Sequence, residues 1–318
     1  MEISRHASAH ARLFGTTDSR SQPRCTVVVA HPDDEIVGAG GLISKLSYVT
    51  VLHVTDGAPH DWRELQSSGF KTAANYARVR REECLAALNL AHVSQDHVLD
   101  LRLSAQDASR NLVELAKKVL EFLLQSSPDV VLTHPYEGGH PDHDAVAFAT
   151  HMAVDLMKRR GIKPPIVFEM ALHPSDDWKL KVLEFLPSAV RETTTFVLDN
   201  KRRELKRRMY QCFRTQREVL DESSLGPEKF RRSLSYNFAQ PPRFGKPRYE
   251  RFGCGMTGKR WQALACSAIN KLFPAEHRSL ERSTSRLIPK VTGKLKLVHR
   301  TGATSPHSGL SPVRNRDR

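Results

Sequence analysis

Short apolar runs along this chain alternate with stretches in which apolar residues recur every three or four positions. Residues 25–30, CTVVVA, are apolar or β-branched nearly throughout, the pattern of a strand buried on both faces. A second run, YVTVLHV at 48–54, ends at Thr55-Asp56-Gly57, and further strands are expected at 97–101, 129–133 (DVVLT) and 166–170 (IVFEM). Helical spacing covers 71–91, 108–126 and 142–160, and another helix is expected over 200–220. In the third of these, Val146, Ala149, Met152, Ala153 and Leu156 share one face. Alternating strands and helices predict a doubly wound, Rossmann-like α/β body, with a mainly parallel sheet and helices on both faces. No internal repeat interrupts it.

Composition adds appendages to that body. The 39% apolar content is low for a compact globule of 318 residues, and the formal charge of +14 is unevenly placed. Residues 278–318 hold ten Lys/Arg against two acids, or +8, in a context rich in Ser, Thr, Pro and Gly. Such a segment buries too little apolar surface to offset its ordering entropy, so a disordered basic tail is expected, with weak binding to anionic surfaces. The expected organisation is a flexible segment over 1–23, a catalytic body over 24–277 and the tail over 278–318. Five scattered cysteines without a CxxC pair argue against a disulfide framework or a thiolate zinc site. No apolar run approaches the ~20 residues of a membrane span, and the first twenty residues lack the hydrophobic stretch of a secretory signal. A cytoplasmic protein with no specific nucleic-acid partner is the expectation.

Two polar clusters break the apolar pattern. AHPDDE (30–35) follows the first strand and THPYEGGHPDHD (133–144) follows the fourth. In open parallel sheets ligands bind beyond the carboxyl ends of the strands, so both clusters fall on one functional edge. Together they offer His31, Asp33, Asp34, Glu35, His140, Asp142, His143 and Asp144. Each has an ordinary structural use when taken singly: Asp142, Asp34 or Glu35 could cap a helix. Convergence at one edge changes the balance. A catalytic zinc site takes about three N/O ligands and keeps a position for water. Fe2+ or Mn2+ accept the same donors. Gly38, Gly40 and Gly41 follow the first cluster and fit close packing of helix on strand better than a phosphate loop.

AHPDDE with a distant HPDH resembles the LmbE/PIG-L family of zinc-dependent N-deacetylases, bacterial N-acetylglucosaminyl deacetylase-like enzymes in particular. YARVRREECLAAL, VVLTHPYEGGHPDHDAVAF and RYERFGCGMTGKRW extend the resemblance over residues 25–273. It implies hydrolysis of the N-acetyl group of a small N-acetylated sugar conjugate. His31, Asp34 and His143 become the zinc ligands, Asp33 the general base, and His140, protonated and oriented by Asp142, the stabiliser of the oxyanion. It also implies a substrate-contacting arginine in the second helix. Positions 73, 77, 80, 84, 87 and 91 form one stripe there (Ala, Ala, Arg, Cys, Ala, Ala), which singles out Arg80. A structural ion pair with Glu83 or an acid at the sheet edge is the competing use.

Two positions depart from the family pattern. Gly138 stands where some relatives carry a tyrosine, leaving Tyr136 as the substrate-contacting candidate. Ala105 stands where an acid is expected, with Gln106 and Asp107 beside it. Alternatives that keep the body are an amidase or O-deacetylase of another sugar conjugate, and a non-enzymatic glycan-binding protein with a basic tail.

Overall fold

The computed structural model describes residues 2–15, 21–59, 61–172, 184–185, 192–218, 220, 225–242, 246–251 and 255–274. Five strands form a parallel sheet: β1 (Cys25–Val29), β2 (Val49–Thr55), β3 (Val98–Leu103), β4 (Val130–Thr133) and β5 (Ile166–Met170). Two short strands, β6 (Thr194–Phe196) and β7 (Glu228–Arg232), extend it antiparallel beyond β5, giving the order β3-β2-β1-β4-β5-β7-β6. The helices are α1 (Glu2–Phe14), α2 (Asp34–Ile43), α3 (Trp62–Ser67), α4 (Ala73–Leu90), α5 (Leu112–Ser126), α6 (Pro141–Arg159), α7 (Asn200–Cys212) and α8 (Gly258–Leu272).

Strands β1, β2, β4 and β5 are buried on both faces, as continuous apolar strands require. Val27 and Val29 point into a core shared with α2, α4 and α7, while Val28 and Ala30 point into a second core shared with α5, α6 and α8. Because β1 pairs β2 on one side and β4 on the other, the chain reverses its winding between β1 and β4. That switch point is where a doubly wound sheet opens a crevice. AHPDDE and THPYEGGHPDHD leave from those two strands.

The glycines after the first cluster serve packing, as expected. A Cβ on Gly41 would collide with Leu198, and one on Gly38 would sit 3.1 Å from the Met170 Cβ. A buried ion pair holds the same helix. Lys206 on α7 bonds Glu228 on β7 at 2.7 Å, and Glu228 accepts the Gly41 and Leu42 N–H groups.

Several boundaries differ from the sequence pattern. The expected flexible 1–23 segment is helical over Glu2–Phe14, and its Leu13 is fully buried. Ala9 and Leu13 lie four residues apart on one face, and Phe14 adds ring contacts to Phe168 and Phe230 at 5.5 and 5.1 Å. The helix expected over 200–220 ends at Cys212, and that over 108–126 starts at Leu112 after a 3-10 turn. Met1–Pro274 form one compact unit. The expected basic tail, 278–318, lies outside the described residues, and no described helix is long and apolar enough to cross a membrane.

Candidate functional site

The turn after β1 is held by partners from other elements. Asp33 precedes α2 with φ 152° and ψ −26°, a conformation L-residues rarely adopt. Such strain costs of order 1–3 kcal/mol and persists only where surroundings over-determine it. Here Arg80 Nη2 donates to Asp33 Oδ2 at 2.8 Å and to the Pro32 carbonyl at 2.9 Å. Burial pushes the Asp33 carboxyl up to about 7, against the pull of Arg80. The Asp33 side chain makes no capping bond, and Asp34 Oδ2 instead accepts the His31 N–H at 2.8 Å. These acids do not spend themselves on helix capping.

The turn before α6 is held largely by its own chain. His140 is the N-cap, its Nδ1 accepting the Asp142 N–H at 3.2 Å, and Pro141 occupies the first helical position. With Nδ1 an acceptor, the imidazole proton sits on Nε2. Burial, then the neighbouring His31, pushes His140 down to about 4, so a neutral Nε2–H donor replaces the protonated ring expected from the sequence. Asp144, offered by the sequence as a ligand, instead accepts the Glu137 and Gly138 N–H groups at 3.2 and 3.0 Å. Burial pushes its carboxyl up to about 8. Asp144 shapes the turn.

Donor atoms of three residues converge between the turns. His31 Nδ1 lies 3.3 Å from His143 Nε2 and 3.3 Å from Asp34 Oδ2, and His143 Nε2 lies 3.5 Å from the other Asp34 oxygen, Oδ1. A tetrahedral ion ~2.0–2.1 Å from each N/O donor separates its donors by about 3.3–3.4 Å. The donor set therefore fits a small divalent cation, and both histidines and the aspartate were legible in the sequence. Burial, which would raise Asp34, is outweighed by His143 and His134, and its carboxyl falls well below the ordinary range. At His31 burial is outweighed by the hydrogen bonds to Asp142 and Asp34, which push it up to about 10.

Three sequence assignments change. Asp142 does not turn its carboxylate to His140. Its Oδ2 lies 3.3 Å from His31 Nε2 and accepts the Gln106 N–H at 2.6 Å, so it orients the His31 ring. Tyr136 donates its hydroxyl to the Gln240 carbonyl at 3.0 Å inside a cluster with Tyr236, Phe238 and Trp261, and is 3% exposed. The hydroxyl is committed to that bond. Arg80 pairs with the acid at the sheet edge, Asp33, rather than Glu83; Glu83 accepts the Arg214 and Thr215 N–H groups. Where an acid was sought after β3, the Gln106 backbone reaches the site and Asp107 bonds Arg110 at 3.0 Å.

One participant escaped the sequence reading. His134 is fully buried, accepts the Ala30 N–H at Nε2 (2.9 Å), stands 3.4 Å from Asp34 and stacks on His143 at 4.0 Å. Its signal was its place: a His-Pro directly after β4, matching His31-Pro32 after β1.

Residues 26–154 match the family model described as PIG-L, GlcNAc-PI de-N-acetylase. That stretch, which holds both polar clusters, is similar to the PIG-L family. A curated Bacillus cereus relative, "Probable N-acetyl-alpha-D-glucosaminyl L-malate deacetylase 2", is 26% identical over 152 residues, covering 46% of this chain and 66% of the relative. The alignment thus spans just under two thirds of that relative. Among solved structures, the A40926 pseudoaglycone deacetylase Dbv21 superposes with a TM-score of 0.52 at 22% identity, over 67% of this chain and 99% of that one. The 4-carboxy-2-hydroxymuconate hydratase GalB from Pseudomonas putida KT2440 superposes with a TM-score of 0.50 at 18% identity, over 67% and 98% of the chains. These likenesses establish the LmbE-like fold. A deacetylase and a hydratase share it, so the reaction of this chain must be argued from its own side chains.

Proposed function

We propose that the protein is a zinc-dependent hydrolase that removes the N-acetyl group from an N-acetylglucosamine-type sugar conjugate. The observation that carries this reading is the convergence of His31 Nδ1, the Asp34 carboxylate and His143 Nε2 at 3.3–3.5 Å, within two overlapping groups of possible donors, His31-His140-His143 and Asp34-His134-His143, that share His143. His31, Asp34 and His143 would hold a zinc ion, which would supply Lewis acidity to make water more acidic and the acyl carbon more electrophilic. Asp33, held by Arg80, accepts the proton of the attacking water. His140 Nε2–H donates to the acetamide oxygen as negative charge develops on it. Asp142 fixes the His31 ring through Nε2 and leaves Nδ1 free to ligate. Asp33 then returns its proton to the departing nitrogen. One water and one acetamide become acetate and a free amine.

The curated Bacillus relative, named for action on a glucosaminyl malate, supports a sugar conjugate as the substrate class. Purified protein should contain about one zinc per chain and release acetate from N-acetyl-α-D-glucosaminyl L-malate or a related N-acetylglucosaminide. Elemental analysis distinguishes zinc from Fe2+ or Mn2+, and an O-acetyl sugar in the same panel tests the O-deacetylase alternative. Full activity in chelator-stripped protein, or release from the O-acetyl sugar alone, would overturn this reading.

A further inference from the structure

Beneath the β1 turn lies a second chain of ionisable groups that the proposed chemistry does not use. His53 on β2 sits between two carboxylates, with Nε2 3.1 Å from Glu35 Oε2 and Nδ1 3.1 Å from Asp100 Oδ1. It is in register with Val29 on β1 and with Asp100 on β3, so the chain of contacts crosses the sheet under the switch point. Asp100 is ion-paired to Arg81, the neighbour of Arg80 on α4. At the other end, Glu35 Oε2 accepts the Asp33 N–H at 3.2 Å, and Oε1 accepts the Cys84 thiol at 3.2 Å.

A neutral imidazole donates from one nitrogen only. With a carboxylate oxygen at hydrogen-bond distance from each nitrogen, both nitrogens of His53 must carry protons. The charges of Arg81, Asp100, His53 and Glu35 then cancel, as a chain this deeply buried requires. Burial works against the charge, and the Glu35 carboxylate 3.1 Å from Nε2 favours it, holding the ring above its ordinary range. Glu35, His53 and Cys84 could also be taken for a metal site, since one donor atom of each lies within 4.8 Å of the others. That assignment is disfavoured. The charges balance without a cation, and burial pushes the Cys84 thiol up to about 12, so it keeps its proton.

Asp33 needs support on two sides to hold its strained backbone. Arg80 grips its carboxylate, and Glu35 grips its N–H. We propose that His53 is a positioning residue for the deacetylation: anchored by Asp100 and Arg81, it fixes Glu35, and Glu35 fixes Asp33 in the conformation from which its carboxylate works. The inference rests on the function proposed above.

The test compares two amides of similar bulk at one buried position. In His53→Gln the side-chain nitrogen can stand where Nε2 stood and still reach Glu35. In His53→Asn it can reach only towards Asp100. Interrupting an outer hydrogen bond of this kind costs about 10–100-fold, so His53→Asn should lower kcat by that factor with KM and zinc content unchanged. His53→Gln should restore most of kcat. Hydrogen exchange at residues 30–37, which needs no substrate, should quicken in His53→Asn and stay near wild type in His53→Gln. Arg81→Gln, which cuts the chain at its more exposed end, should show the His53→Asn effects more weakly and covers the case of a buried variant that does not fold. Equal losses in the two amides, or unchanged kcat and exchange in both His53→Asn and Arg81→Gln, would overturn the proposal. Should wild-type protein release no acetate from any conjugate, the deacetylase reading falls by itself and the exchange comparison still decides the role of His53.

Discussion

The two turns at the switch point reach similar density of charge by opposite means. The β1 turn is built from acids, and each is restrained by a residue far away in sequence: Asp33 by Arg80, Glu35 by His53. The α6 turn is built mainly from histidines and restrains itself, with His140 capping its own helix and Asp144 gathering the Glu137 and Gly138 amides. Acids need counter-charges when buried, and a short segment cannot supply them from within. Neutral imidazoles and backbone amides can satisfy one another locally. Two carboxylates join the turns: Asp142 on α6 holds His31, and Asp34 of the β1 turn reaches His143 and His134.

The sharpest way to break this comparison is to remove the point where the turns meet. His143→Ala takes one of three convergent donors, and zinc content and acetate release should fall together to background. A variant that keeps its metal would show that His143 does not ligate. Asp33→Asn should act differently, because the proposed mechanism makes Asp33 the base and keeps it out of the donor triad. Its zinc content should match wild type while kcat drops about 10²–10⁴-fold, the usual worth of a general base. Loss of zinc in Asp33→Asn would mean that Asp33 and Asp34 exchange roles.

The Asp142 bridge between the turns should give an intermediate effect. Asp142→Asn keeps the shape and removes the charge that steadies His31, so zinc affinity should fall about 10–100-fold. Measured by competition with a chelator, unchanged affinity would return Asp142 to the role expected from the sequence, orienting His140.

How far each turn could be read from sequence follows from the same difference. Strand rules place two sequence clusters at one sheet edge, and the choice of His31, Asp34 and His143 among their eight polar residues came from the family resemblance. β1, β2, β4 and β5 were legible because strands buried on both faces read as apolar runs. TTF at 194–196 and EKFRR at 228–232 carry no such run, and Glu228 and Arg231 are buried only because Lys206 and Glu169 meet them from elsewhere. Partners across the fold were equally hidden. Nothing local distinguishes an Asp142 that serves His140 from one that serves His31, and nothing in TVLHVT marks His53 as the counter-charge of Glu35. The tyrosine at 136 misled for the same reason: its hydroxyl is claimed by Gln240, 104 residues away.

The smallest effect tests whether the α6 turn is as self-contained as its contacts indicate. His151 lies on α6 beyond the turn, its Nε2 2.8 Å from Ser233 Oγ and its ring 5.2 Å from Tyr236 and 5.5 Å from Phe238. Burial pushes it down from 6.5 to about 4, with Asp155 opposing that shift and Lys158 adding to it. A histidine with a lowered folded pKa stays neutral while the unfolded chain takes up a proton. Its stabilisation is therefore complete above pH 6.5 and is lost as pH falls through about 4. The shift is worth up to about 3 kcal/mol. His151→Gln keeps a neutral hydrogen-bonding group against Ser233 and removes the titration. Carboxylates titrate over the same interval in both proteins, so the informative quantity is the difference in thermal midpoint between variant and wild type at pH 7 and at pH 4.5. The variant should lose less on acidification, while kcat and zinc content at pH 7 stay as in wild type. Identical acid sensitivity would show that His151 is readily protonated in the fold. A fall in kcat at neutral pH would show that the body of α6 transmits strain to His140 and His143, and that both turns depend on distant support.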